Sequence, residues 1–154
     1  MRDKVAQAAR ELGLEVEITT LDRPTRTVAE AAEALDVDPG QIAKSIVFVA
    51  DGEPVVCVAS GGHRVDIDTL ALAFDCAVVS QADPDQVQAA TGFKVGGVPP
   101  FGHGLPVVID EALLDHEVVF AAGGDGSTLF GVDPRKLVDA TGARVIAVGA
   151  AAAG

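Results

Sequence analysis

The chain has 154 residues, 49% hydrophobic and 22% charged, and a formal net charge of −12. That length fits one domain burying on the order of two thirds of its unfolded surface; the composition excludes a disordered chain, and no apolar run approaches the ~18 residues a membrane span needs. The acid excess excludes general polyanion binding, DNA included, because nonspecific affinity for nucleic acid depends on neutralising phosphates with Lys and Arg.

The charge is uneven. Residues 1–27 carry five basic and five acidic side chains, which leaves six basic against eighteen acidic for the remainder. Any nucleic-acid contact is therefore expected to be small and local, one end of a molecule, drawn from Arg23, Arg26, Lys44, Arg64 and Lys94. The acid excess equally suits solubility or a salty cytoplasm. The start, Met1 to Val5, leads into Ala, Gln and Arg rather than a continuous apolar segment, so no signal peptide is read there and a cytoplasmic location is expected. Cys57 and Cys76 lie in apolar surroundings outside any CxxC and read as core thiols.

In chain order, Val5, Ala8, Ala9 and Leu12 recur at helical spacing, predicting a helix over 2–12 that Gly13 stops. Leu14, Val16 and Ile18 alternate with polar residues, as a half-buried strand does. Thr27 and Glu30 have capping-box spacing ahead of a second helical face, Val28, Ala31, Ala32 and Leu35, which ends near Asp38-Pro39-Gly40. Residues 42–50 and 54–60, joined at Asp51-Gly52, predict a β-hairpin. Both runs are almost continuously apolar, so they belong in the middle of a sheet. Asp66 should cap a short helix through Ile67, Leu70 and Phe74, and residues 76–80 read as a strand. Asp83-Pro84 places an N-cap before proline at the first helical position, with Gly92 as the stop. Residues 105–109 read as a strand, Asp110 caps one or two helical turns, and residues 117–122 and 128–132 form strands about a glycine-rich turn. Asp133-Pro134 opens a last helix ended by Gly142, and 143–148 closes as a strand. Hairpins mixed with helix-separated strands predict an α+β fold: a mixed, largely antiparallel central sheet with helices packed on it in three layers. Residues 1–149 are read as a single domain and 150–154 as a frayed tail.

The run Gly96-Gly97-Val98-Pro99-Pro100-Phe101-Gly102 denies itself both regular structures. Its glycines permit positive φ or close backbone approach, and its prolines fix φ and remove two N–H groups, so the loop should be rigid. Bare amides on such a loop can cradle a ligand with little ordering entropy left to lose, although Gly/Pro clusters also serve as plain turns. Lys44 is a lone charge at the mouth of the most hydrophobic strand. If alternation holds, it shares a face with Ile46 and Phe48 and presents a fixed positive point to a phosphate or carbonyl oxygen; a lysine snorkelling to solvent fits the same pattern. The turn Gly123-Gly124-Asp125-Gly126-Ser127 offers amides and a carboxylate, with the marks of an ordinary hairpin turn as well. His63, His103 and His116 lack ligand-like spacing, so neither metal nor cofactor is expected; His103 either contacts a ligand beside the loop or is a solvated loop residue. Asp66 and Asp68 read as helix-start residues. Without a Gly-x-Ser-x-Gly elbow, the nucleophile of any hydrolysis is expected to be water.

The order Thr27-Val28-x-Glu30-Ala31-Ala32, Ile42-Ala43-Lys44-Ser45-Ile46, Arg64-Val65-Asp66, Thr91-Gly92-Phe93 with Gly96 to Gly102, and Ala122-Gly123-Gly124 resembles the YbaK / prolyl-tRNA synthetase-associated editing domain family over about residues 27–138. The resemblance implies a trans-acting or synthetase-linked deacylase that hydrolyses the ester of a mischarged tRNA, typically Cys- or Ala-tRNA(Pro). Editing of this kind answers the limit on rejecting a similar or smaller amino acid at a single site. It implies Lys44 as the catalytic residue that fixes the tRNA end or the ester, and Ser45, Gly96, Gly97, Val98, Pro100, Gly102 and Asp125 as substrate-binding residues. The loop amides would hold the ester carbonyl or the amino acid, and the terminal ribose hydroxyl would help activate water. The implied partners are the acceptor end of an aminoacyl-tRNA and a prolyl-tRNA synthetase, without membrane or DNA. The chain departs from the pattern in its first strand, where Thr19-Thr20-Leu21-Asp22 stands in place of a distinctive pocket-shaping side chain. A noncatalytic module binding tRNA ends or a synthetase, and an interaction domain with no tRNA role, are the other readings.

Overall fold

The computed structural model describes residues 2–22, 24–25 and 27–149. Arg23, Arg26 and the tail 150–154 lie outside the described residues. Five helices, α1 (Arg2–Glu11), α2 (Val28–Leu35), α3 (Ile67–Ala73), α4 (Pro84–Thr91) and α5 (Pro134–Thr141), accompany eight strands. The strands are β1 (Ile18–Thr20), β2 (Ile42–Ala50), β3 (Glu53–Ser60), β4 (Val79–Gln81), β5 (Val107–Asp110), β6 (Val119–Ala122), β7 (Thr128–Val132) and β8 (Arg144–Ile146). Pro39–Gln41 and Glu111–Asp115 form 3₁₀ turns.

Local chemistry accounts for most helix starts. Thr27 Oγ1 accepts the Glu30 N–H at 3.1 Å, and Asp83 caps α4 with a reciprocal Gln86 contact, the N–H bond being 2.8 Å. Asp66 and Asp133 cap α3 and α5. Each such cap contributes about 1 kcal/mol.

All eight strands join one mixed sheet in the order β1-β7-β6-β2-β3-β5-β8, with β4 also paired to β2. The pairings β1/β7, β6/β7, β2/β3 and β2/β4 are antiparallel; β2/β6, β3/β5 and β5/β8 are parallel. The expected α+β sheet, mixed and largely antiparallel, is therefore present: the antiparallel β2/β3 ladder is its longest, and each parallel pairing spans only two or three residues. Alternation along β3 sorts the layers. Val56 and Val58 pack with Val5 and Ala9 of α1, Val87 of α4 and Leu137 of α5, whereas Val55, Cys57 and Ala59 pack with Leu70 of α3. Ala31 and Ala32 of α2 join Ile42 and Leu129 in a smaller cluster.

Several strands are shorter than expected. Residues 14–17 carry no ladder, because the chain turns directly off α1, Leu14 N–H bonding Ala9 C=O at 2.9 Å, and pairing with β7 begins only at Ile18 opposite Phe130. The strand expected over 76–80 is displaced to 79–81. Asp51, at φ 47°, receives the Ala77 and Val78 N–H groups on its carboxylate, which holds residues 77–78 as a connection and lets pairing start at Val79. Among the described residues no helix is long and apolar enough to cross a membrane.

Candidate active site in a gap of the sheet

The central strand β2 is fully paired on only one side. β3 runs beside it from Ala43 opposite Ser60 to Ala50 opposite Glu53. On the other side β6 pairs only with Ile42 and Ala43, and β4 only with Phe48, Val49 and Ala50. Residues 44–47 thus border a gap between two strands that approach from opposite ends. A cavity of about 150 Å³ occupies it. Lys44, Ser45, Ile46 and Val47 form one wall; Thr27, the N-cap of α2, and Ala31 within it, Gln81 and Ala82, Val87 of α4, Phe120 and Ala122 of β6, and Gly96 and Val98 of the Gly/Pro loop form others.

Consecutive strand residues point to opposite faces. Ile42, Lys44, Ile46 and Phe48 share the α2/α3 face, as Ile42 and Phe48 show by their clusters; Ala43, Ser45 and Val47 share the face of α4 and the loop. An intact sheet would separate Lys44 from Ser45. At the gap, both line one cavity. Among the described residues, Lys44 is exposed, has no ion-pair partner, and is the only basic residue in the lining. Ser45 Oγ is buried and unpaired.

The loop is held from below. Val98 and Phe101 are 4% and 3% exposed, and the Phe101 and Phe130 rings meet at 5.6 Å between centroids, tilted by 43°. Such a pair adds about 0.5–1.5 kcal/mol beyond its burial. Gly96 and Gly102 adopt φ of 88° and 85°, as expected of glycine. Gly97 is required by proximity: a Cβ there would stand 2.7 Å from Asp125 Cα.

The other expected site residues have other neighbours. Gly97 N–H is spent on Lys94 C=O at 2.9 Å, and Pro99 and Pro100 carry none; the loop residues that line the cavity are Gly96 and Val98. Pro100 is buried and Gly102 packs on Ala8 of α1; neither lines the cavity. Asp125 is exposed outside the cavity, and its Oδ1 accepts Ser127 N–H at 2.7 Å and Thr128 Oγ1 at 3.3 Å. Its turn braces Gly97. His103 also lies off the cavity and is partly buried rather than solvated: Nδ1 accepts Leu105 N–H at 3.1 Å, and burial lowers its pKa while the Pro100 carbonyl opposes the shift. Asp66 bonds Asp68 N–H at 3.0 Å, a helix start as expected. Of the basic candidates, exposed Lys94 adjoins the cavity-lining Val95, and exposed Arg64 does not line the cavity. Among the described residues no group of three or more His, Cys, Asp or Glu could hold a metal ion.

Thr25, Gln81, Ala82, Phe120 and Leu129 are in the lining without any signal in the sequence, since nothing local marks a residue as bordering a gap.

The model of the aminoacyl-tRNA editing domain matches residues 22–140. The chain belongs to that family. This editing domain is 32% identical over 126 residues to YwhH, an uncharacterized protein of Bacillus subtilis, with 80% of each chain covered. It is 30% identical over 113 residues to the proline–tRNA ligase of Lactiplantibacillus plantarum; 71% of the chain is covered, but the chain spans only 20% of that ligase. A crystal structure of a candidate trans-editing enzyme for prolyl tRNA synthetase superposes with a TM-score of 0.90 at 37% identity, covering 97% of this chain and 96% of the other. The match encloses Lys44, Ser45 and the whole Gly/Pro loop.

Proposed function

We propose that this editing domain is a trans-acting aminoacyl-tRNA deacylase that hydrolyses the ester of a mischarged tRNA, with Cys- or Ala-tRNA(Pro) as substrate. The observation that carries the reading is Lys44: the one basic side chain among the described residues that line a mostly apolar cavity, in a chain of net charge −12. A tRNA 3′ end offers a phosphate next to a small acyl ester, and this arrangement offers a positive point next to a small apolar recess. A cavity of about 150 Å³, comparable to one that holds benzene, has room for a small side chain such as that of alanine or cysteine.

Lys44 fixes the nucleotide end or the ester, and the Gly96 and Val98 amides lie beside the acyl group. Water is the nucleophile, activated with help from the terminal ribose hydroxyl, so the protein contributes position and electrostatics rather than a covalent intermediate. The scarcity of basic residues restricts contact to the acceptor end and favours delivery by a prolyl-tRNA synthetase.

The test is a panel of proline tRNAs charged with alanine, cysteine or proline, with ester loss followed with and without the synthetase. Hydrolysis of the alanyl or cysteinyl ester and sparing of the prolyl ester is expected. Lys44→Ala should lose about a hundredfold or more in kcat/KM while its stability stays within about 0.5 kcal/mol, since the side chain is exposed. Binding without hydrolysis would mark a noncatalytic module, and a wild-type rate for Lys44→Ala would remove Lys44 from the site.

A further inference from the structure

The most anomalous group in the cavity wall is Ser45. Its hydroxyl is buried with no hydrogen-bond partner, a state that among the described residues is shared only by His103 Nε2, which lies off the cavity; Asp110, by contrast, accepts Ser60 N–H at 3.0 Å, and Thr91 donates to Val87 C=O at 2.7 Å. A buried unpaired polar group in a native protein calls for an explanation, and a missing ligand is one.

The main chain of the same residue adds a second, independent observation. Peptide groups along a strand alternate sides. Gly61 N–H donates to Ile42 C=O at 2.8 Å on the β3 side, and Ala82 N–H donates to Val47 C=O at 3.0 Å on the opposite side. Ser45, two residues before Val47, therefore turns its N–H toward the gap, where the β6 register has ended at Ala43 and that of β4 begins only at Phe48. One residue thus brings a main-chain donor and a hydroxyl donor to the place where the ladder is interrupted. A serine hydroxyl is aimed by rotation among three staggered wells.

We infer that Ser45 forms the oxyanion site of the reaction: its N–H and Oγ–H hold the acyl carbonyl oxygen in the position a neighbouring strand would occupy. The inference rests on the deacylase reading above. Water adds to the acyl carbon and the carbonyl π pair moves to oxygen, where the two donors receive the charge. Collapse breaks the bond to the ribose oxygen, which takes a proton from the added water, leaving a free amino acid and a deacylated tRNA. Lys44, on the opposite face, holds the nucleotide end of the same substrate.

The experiment compares wild type, Ser45→Ala and Ser45→Thr in single-turnover deacylation, together with melting temperatures and affinity for a non-hydrolysable 3′-amide analogue of the aminoacyl end. Loss of one oxyanion donor lowers kcat roughly a hundredfold to a thousandfold. Ser45→Ala is expected to show that loss with little change in KM or analogue affinity and an equal or higher melting temperature, because it deletes an unpaired buried hydroxyl. Ser45→Thr, which keeps the hydroxyl, is expected to recover most of the rate. Ser45→Ala with wild-type kcat overturns the assignment and leaves the deacylase reading standing. A rate loss accompanied by a lower melting temperature and no recovery in Ser45→Thr also overturns it, as a purely structural effect. A wild-type protein inactive on the whole panel overturns the deacylase reading and, with it, this role.

Discussion

Gly97 is where the Gly/Pro loop rests on the turn that follows β6, and replacing it with alanine tests whether that contact sets the shape of the cavity. The new Cβ would lie 2.7 Å from Asp125 Cα, 2.8 Å from Gly124 O and 2.9 Å from Asp125 N. All three are main-chain atoms, so no side chain can swing aside. Moving the 2.7 Å contact out to an ordinary 3.4 Å separates loop and turn by about 0.7 Å. Overpacking of this kind costs about 1–3 kcal/mol, which for a domain of this size lowers Tm by roughly 3–10 °C. The neighbours Gly96 and Val98 line the cavity, and misplacement approaching 1 Å costs on the order of a hundredfold in rate. Gly97→Ala is therefore expected to lower kcat/KM roughly tenfold to a hundredfold, measured by deacylation well below its Tm. Gly104→Ala is the control: its φ of 73° imposes backbone strain of about 1–2 kcal/mol, but no atom lies within 4 Å of the added Cβ and Gly104 does not line the cavity. It should lose similar stability and keep its activity. If Gly97→Ala behaves like Gly104→Ala, or like wild type, the contact does not shape the site.

Two further outcomes follow from the titratable groups. Burial holds the His103 pKa below the ordinary imidazole value of about 6.5, so as pH falls through that value the unfolded chain takes up the proton first. Stability should decline there and level off below the folded-state pKa; thermal melts of His103→Gln should show a flatter profile between pH 7 and 5, and an unchanged profile would assign the decline to other groups. Burial, and secondarily Asp110, pushes the Cys57 thiol up to about 12, so it should resist alkylation at neutral pH until the protein is unfolded; mass-spectrometric detection of rapid native labelling at Cys57 would contradict its place in the core.

The readable parts of the fold are those governed by short-range chemistry. Thr27, Asp66, Asp83, Asp110 and Asp133 all serve as the helix or 3₁₀ caps their spacing announces, because an N-cap needs only its own side chain and an amide two or three residues on. The β2/β3 hairpin is equally local, its register settled by the two-residue turn Asp51-Gly52. Strand ends were less legible. β1 and β4 begin later than alternation implies because a ladder exists only where a partner is in register, and those partners, β7 and β2, are distant in sequence. Gly102 shows the same limit within the site: its left-handed φ was expected, but the contact that uses it, Ala8 of α1, lies more than ninety residues away.

By itself the sequence determined the ingredients: a lysine at the mouth of a central strand, a serine beside it, and a stiff loop with few amides. These follow from residue type and spacing, as does the resemblance that joined them. The tertiary structure decided which ingredients meet. It spent the Gly97 amide within its own turn, turned Asp125 into a brace, and let β6 and β4 reach opposite ends of β2 without meeting. Side chains on consecutive strand residues are kept apart by any continuous sheet, so only that interruption, a product of long-range pairing, allows Lys44 and Ser45 to border one cavity.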